Sequence, residues 1–95
     1  MATQINQIDD DLNRRSVLKI KGELSGDDAR LLEKIGLEIR ASTGNTIVID
    51  LADLDFIDSE AAPILRRLEN LPGFSLQGIE IFLQTAVNSV ERTIL

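Results

Sequence analysis

Three short aliphatic runs, residues 16–24, 46–51 and 77–84, are separated by two stretches whose apolar residues recur at helical spacing. That alternation constrains the fold more than any other feature of the chain. Strands joined through a helix run in the same direction, and such crossovers are almost always right-handed. The order therefore predicts an α/β domain with parallel pairing at its centre.

In residues 16–24, Leu18, Ile20 and Leu24 share one face while Lys19, Lys21 and Glu23 point the other way. Strict alternation means one packed face and one partly wet face. Residues 46–51 are rich in β-branched side chains (Thr46, Ile47, Val48, Ile49), which favour strands. Residues 77–84 put Ile79, Ile81 and Leu83 on one face. The second face of all three runs is mixed: Val17, Lys19, Lys21 and Glu23; Val48 and Asp50; Glu80, Phe82 and Gln84. A sheet covered on both faces needs apolar residues on both, so the helices are expected mainly on one face. A weaker strand at residues 3–8, followed by an acidic turn at Asp9-Asp10-Asp11, makes the expected sheet four-stranded and mixed.

The first helix should start at Ser25-Gly26-Asp27-Asp28, with Ser25 as N-cap and Asp28 completing a capping box. At 100° per residue, Ala29, Leu32, Ile35, Gly36 and Ile39 form one stripe, Leu37 falls almost opposite, and Gly44-Asn45 ends the helix. A loop over residues 52–57 is expected to lead to Asp58-Ser59-Glu60 and a second helix. There Ala61, Ala62, Leu65 and Leu68 line one side, and Glu60, Pro63, Arg66 and Arg67 line the other. Pro63 must lie in the first turn, where a missing N–H is tolerated. Pro72-Gly73 closes that region, and a last helix from Thr85 has the stripe Ala86, Val87, Val90 and Ile94. The expected fold class is thus α/β, a four-stranded mixed sheet with about three helices mainly on one face.

Ninety-five residues suit one domain, residues 1–95, with one modest core. No apolar run approaches the roughly 20 residues that span a bilayer, and Met1-Ala2-Thr3-Gln4 lacks the basic and apolar regions of a signal peptide. A cytoplasmic location, without membrane insertion, is the expectation. The net charge of −6 opposes binding to nucleic acid and favours a basic protein surface. Cys, His, Tyr and Trp are all absent. Thiolate chemistry, the commonest general base and the commonest transition-metal ligand are therefore missing, and the expectation is a non-enzyme without cofactor or metal. A hydrolase acting through Ser59 would lack a base of suitable pKa.

The carboxylates Asp50, Asp53, Asp55 and Asp58 do not form a calcium loop: Ile57 falls at the third ligand position of an EF-hand and Asp58 at the required Gly. A receiver domain fits no better, because Asp27-Asp28 follows the second strand and Gln84 stands where a lysine belongs. A solvated acidic rim is the simpler account.

Three stretches, in their order and spacing, resemble the STAS domain of the anti-sigma factor antagonist family. They are Lys21-Gly22-Glu23-Leu24, Ile47-Val48-Ile49-Asp50-Leu51, and Asp53-Leu54-Asp55-Phe56-Ile57-Asp58-Ser59. The likeness covers about residues 16–95, including the stretch Thr85-Ala86-Val87-Asn88-Ser89-Val90. It implies a STAS-like fold and a regulatory, protein-binding role in bacterial transcription control and signal transduction. The implied partner is a GHKL-type serine kinase/anti-sigma factor. The family's phosphoacceptor is the second hydroxyl of an Asp-Ser-Ser/Thr-Gly motif; here Glu60 takes that place and Ala61 the glycine place. Ser25 stands where many members carry an aspartate, and many members continue past the equivalent of Leu95.

These residues define the expected site. Asp58, Ser59 and Glu60 open a helix whose free N–H groups favour anions. A phosphate on Ser59 would add about −1.5 to −2 charge there, whereas Glu60 supplies about −1 permanently. In the plainer account Asp58 or Ser59 caps the helix and Glu60 complements its dipole, worth about 0.3–1 kcal/mol. Ser25, Asp27, Asp55, Pro63, Arg66 and Arg67 complete the expected partner-binding surface. Two other roles compete. One is an accessory subunit of a lipid-transporting ABC system bound to its ATPase, which the family also includes. The other is a self-associating structural module or homodimer, suggested by Leu37.

Overall fold

A computed structural model describes residues 3–78. The elements are β1 (Thr3–Asp10), β2 (Arg15–Leu24), α1 (Gly26–Thr43), β3 (Thr46–Ile57), α2 (Ala61–Glu69) and β4 (Phe74–Gln77). They form a four-stranded mixed sheet in the order β1-β2-β3-β4. β1 and β2 make an antiparallel hairpin, whereas β2–β3 and β3–β4 are parallel. Both crossovers step along the sheet in the same direction, so right-handed connections put α1 and α2 on the same face. The expected α/β architecture is the observed one, with two helices among the described residues.

The core lies between those helices and one face of the sheet. Leu18, Ile20 and Leu24 of β2 meet Ile47, Ile49 and Leu51 of β3, with Ala29 and Leu32 of α1 and Ala61, Ile64, Leu65 and Leu68 of α2 above them. α1 comes close to β4 at Gly36, where a Cβ would stand 2.6 Å from Cε2 of Phe74. Near the start of β2, Ser16 is fully buried: it donates to Asp9 Oδ1 (2.8 Å) and accepts from Asn45 Nδ2 (3.1 Å). That pairing satisfies polar groups that would otherwise be stranded in the core.

Four local expectations change. Asp9 and Asp10 belong to β1, not to a turn, because Asp9 is held by Ser16 and Gln7 and Asp10 by Asn13 and Arg15. The hairpin turn itself is residues 11–14. Residues 52–57 are not a loop. They prolong β3 along β2, with the ladder shifting register between Lys19 and Lys21 and between Gly22 and Glu23. Such bulges hide a strand from a period-two reading, because each one moves the inward side by a residue. Leu54 is thereby returned to the core, while Asp53, Asp55 and Phe56 stay exposed. The last described strand is Phe74–Gln77; it shares only Gln77 with the expected run 77–84, whose residues 79–84 lie outside the described residues, as does the helix expected from Thr85. Finally, Val48 is buried although its side chain lies on the face opposite α1 and α2.

Candidate functional site

Both helices begin at the same end of the sheet, where β2 and β3 stop, and one carboxylate joins them. Asp58 follows β3 directly, and its N–H donates to the carbonyl of Leu24 at the end of β2 (3.1 Å). Its Oδ1 accepts from the backbone N–H groups of Glu60 (3.0 Å) and Ala61 (2.8 Å), at the start of α2. Its Oδ2 accepts from the N–H of Gly26, the first residue of α1 (3.2 Å). The side chain of Glu60, the residue before α2, makes no capping bond. Asp58 is the cap, and it serves two helices at once. Helix starts leave such N–H groups without intrahelical partners, so a shared carboxylate is the economical acceptor.

The start of α1 is closed independently. Ser25 Oγ accepts from the N–H of Asp28 (3.1 Å), and Asp28 Oδ2 accepts from the N–H (3.5 Å) and hydroxyl (2.9 Å) of Ser25, the expected capping box. The hydroxyl of Thr3, on β1, also donates to Asp28 Oδ2 (2.7 Å) and so ties the hairpin to the helix. The bonds from Thr3 and then Ser25 hold the Asp28 carboxyl below the ordinary aspartate range. Ser25 is thus already engaged within the protein.

Glu60 is exposed but seated. A Cβ at Gly26 would lie 2.7 Å from Glu60 Oε2 and 2.8 Å from Glu60 Cβ, with Arg30 Nη1 3.6 Å away. The carboxylate therefore rests against the first turn of α1, in the space a glycine leaves open. Ser59 is exposed between Asp58 and Glu60. Pro63 lies in the first turn of α2, exposed, as its missing N–H requires.

The structure gathers Ser25, Asp27, Asp58, Ser59, Glu60 and Pro63 around the two helix starts. Asp55 is exposed on the last stretch of β3, beside the bulge. Arg66 points outward. Arg67 is exposed as well, and its guanidinium grips Glu33 of α1 in a fork (Nε–Oε2 3.0 Å, Nη2–Oε1 2.7 Å). Asp27 pairs with Arg30 (3.0 Å). Sequence reasoning missed Gly26, Arg30 and Glu33, whose roles depend on a neighbouring helix. It also missed Phe56, 54% exposed at the end of β3 opposite Glu23. An aromatic residue amid the aspartates of residues 53–58 was the available signal. Among the described residues, no group of His, Cys, Asp or Glu is arranged to hold a metal ion, and no helix is long and apolar enough to cross a membrane.

No protein-family model and no curated protein matches the chain. Solved structures do. The anti-sigma factor antagonist SpoIIAA in its unphosphorylated form superposes with a TM-score of 0.51 at 18% identity, covering 70% of this chain and 58% of its own. A chain of Mglu superposes with a TM-score of 0.56 at 18% identity, covering 78% of this chain and 18% of that one. This chain therefore spans less than two thirds of either. The sheet order, the two crossovers on one face and this superposition give one conclusion: the chain has the STAS-like fold of an anti-sigma factor antagonist.

Proposed function

We propose that this protein is a non-enzymatic, cytoplasmic regulatory module that docks on a GHKL-type serine kinase/anti-sigma factor. It does so through the end of β3, the Asp58-Ser59-Glu60 turn and the exposed side of α2. The observation that carries this reading is the exposed Ser59-Glu60 pair held at two joined helix starts by Asp58. A rigid, anion-bearing corner suits a basic partner surface, and the fold shared with an anti-sigma factor antagonist supports the class. Glu60 occupies the phosphoacceptor place with a permanent carboxylate, so docking needs no serine switch at position 60.

Binding to a purified GHKL-type serine kinase encoded beside this gene tests the reading by calorimetry. Ser59→Arg is expected to weaken binding by about tenfold or more, because it sets a cation against a basic surface. Recovery of an ABC ATPase and no kinase on affinity purification from the native host would replace this role with the transporter one. A phosphate on Ser59 that abolishes binding would show that the switch had moved, not vanished.

A further inference from the structure

The outer edge of β1 is the one place on the described sheet with a long unpaired ladder and no charge along most of its length. β4, at the other edge, has only four residues and follows Pro72 closely. β1 has eight, and residues 3–8, Thr-Gln-Ile-Asn-Gln-Ile, carry no charge in a chain whose composition is 27% charged. Protein edges are ordinarily guarded by proline, lysine, a bulge or shortness. Residues 3–8 contain no proline or lysine, and the β1–β2 register runs without a shift from Thr3↔Gly22 to Asp10↔Arg15, so no bulge turns the edge away. Gln4, Asn6, Gln7 and Ile8 are exposed along it.

We propose that β1 is a dimerisation edge: two copies of this chain pair antiparallel through β1 about a two-fold axis near Asn6, making one sheet continuous across both. The strand's own charge pattern selects a second copy in this direction. Asp9 and Asp10 stand together at one end of β1. A parallel pair would set these aspartates against each other, and like charges directly opposite destabilise a sheet. The antiparallel arrangement places Asp9 across from Thr3 and leaves Asp10 beyond the pairing, while Gln4 meets Ile8 and the two Asn6 amides meet at the axis. Each face is preserved, so both helix layers lie on the same side. At −6 per copy, association is opposed over most of the surface, and the neutral edge is where that opposition is least. A two-fold contact of this kind is self-complementary and closes after two subunits.

Sedimentation equilibrium of the full chain at about 100 μM tests this, since a dimer is favoured by concentration. The expected mass is twice the chain's 10.5 kDa. Asn6→Lys brings two ammonium groups together at the axis and is expected to raise the dissociation constant by about tenfold or more. Asn6→Asp does the same, and an equimolar mixture of the two variants is expected to regain the dimer. Both substitutions lie at an exposed position, and circular dichroism verifies that each variant is folded. Leu37→Glu, on the outward face of α1, should leave the dimer intact. A monomeric parent chain, an Asn6→Lys dimer as tight as the parent, a mixture that stays monomeric, or a dimer lost only with Leu37→Glu would each overturn the proposal. Of these, the last would assign self-association to the helix.

Discussion

Removing the carboxylate of Asp58 should loosen both helices together. Its oxygens take three backbone N–H groups, those of Glu60, Ala61 and Gly26, at 3.0, 2.8 and 3.2 Å. Losing a helix cap costs about 0.5–2 kcal/mol. Hydrogen bonds to charged groups are worth about 1.5–3 kcal/mol each, but the site is only half buried and water replaces part of that. Asp58→Ala is therefore expected to cost about 2–3 kcal/mol, more than one cap and less than three isolated bonds. For a domain of this size each kcal/mol moves Tm by about 4–8 °C, so the midpoint should fall by about 8–24 °C. Asp58→Asn keeps one acceptor oxygen and should lose about half as much. Asp58→Glu keeps the charge but displaces the oxygens by a methylene. If charge at the helix starts were all that mattered, it would match the parent; if the three-way geometry matters, it should lose at least as much as Asn. Thermal and urea unfolding followed by far-ultraviolet circular dichroism measures each, in a chain without Trp or Tyr. A loss below about 0.5 kcal/mol for Asp58→Ala, or a glutamate variant as stable as the parent, would refute the shared-cap reasoning.

Gly36→Ala would press a methyl within 2.6 Å of the Phe74 ring, so an overpacking loss of about 1–3 kcal/mol is expected despite alanine's better helix propensity. Phe74→Leu in the same chain should recover part of it, and urea midpoints would report the coupling. Acid should also destabilise the fold through Asp28, whose carboxyl the Thr3 and Ser25 bonds hold below the ordinary range. A lowered folded pKa means that this contribution is complete above the ordinary aspartate value, about 3.9, and is lost as pH falls through the folded one. Thr3→Val removes the largest cause, so its unfolding free energy should depend less steeply on pH in that acid window than the parent's. An unchanged slope would show that Thr3 does not set it.

The central architecture was legible because periodicity survives in the segments that build it. Leu18, Ile20 and Leu24 alternate cleanly, Ala29 through Ile39 recur at helical spacing, and Ser25 with Asp28 carry their capping signature within four residues. What was lost involves distance or interruption. Two bulges break the inside–outside rhythm of β3 and made its second half resemble a loop. Phe74, which seats under Gly36, belongs to a strand too short to show a period. In the site, Asp58, Ser59 and Glu60 were recognisable from local order alone, and Asp58 did prove to be the cap. Its third bond, to Gly26, joins residues 32 apart in sequence, and the Arg67–Glu33 fork joins residues 34 apart. No local pattern encodes either. Ile64, assigned to neither side of the expected helix, is buried, since α2 is covered by α1 as well as by the sheet.

The hairpin turn of residues 11–14 has a practical use. It sits where β2 begins, so the whole length of that strand separates it from the corner where the helices start. Leu12, at its tip, is 97% exposed. In a chain with no cysteine, Leu12→Cys creates a single attachment point for a fluorophore or spin label. A reporter placed there can follow tumbling and complex size while leaving the opposite end of the molecule untouched.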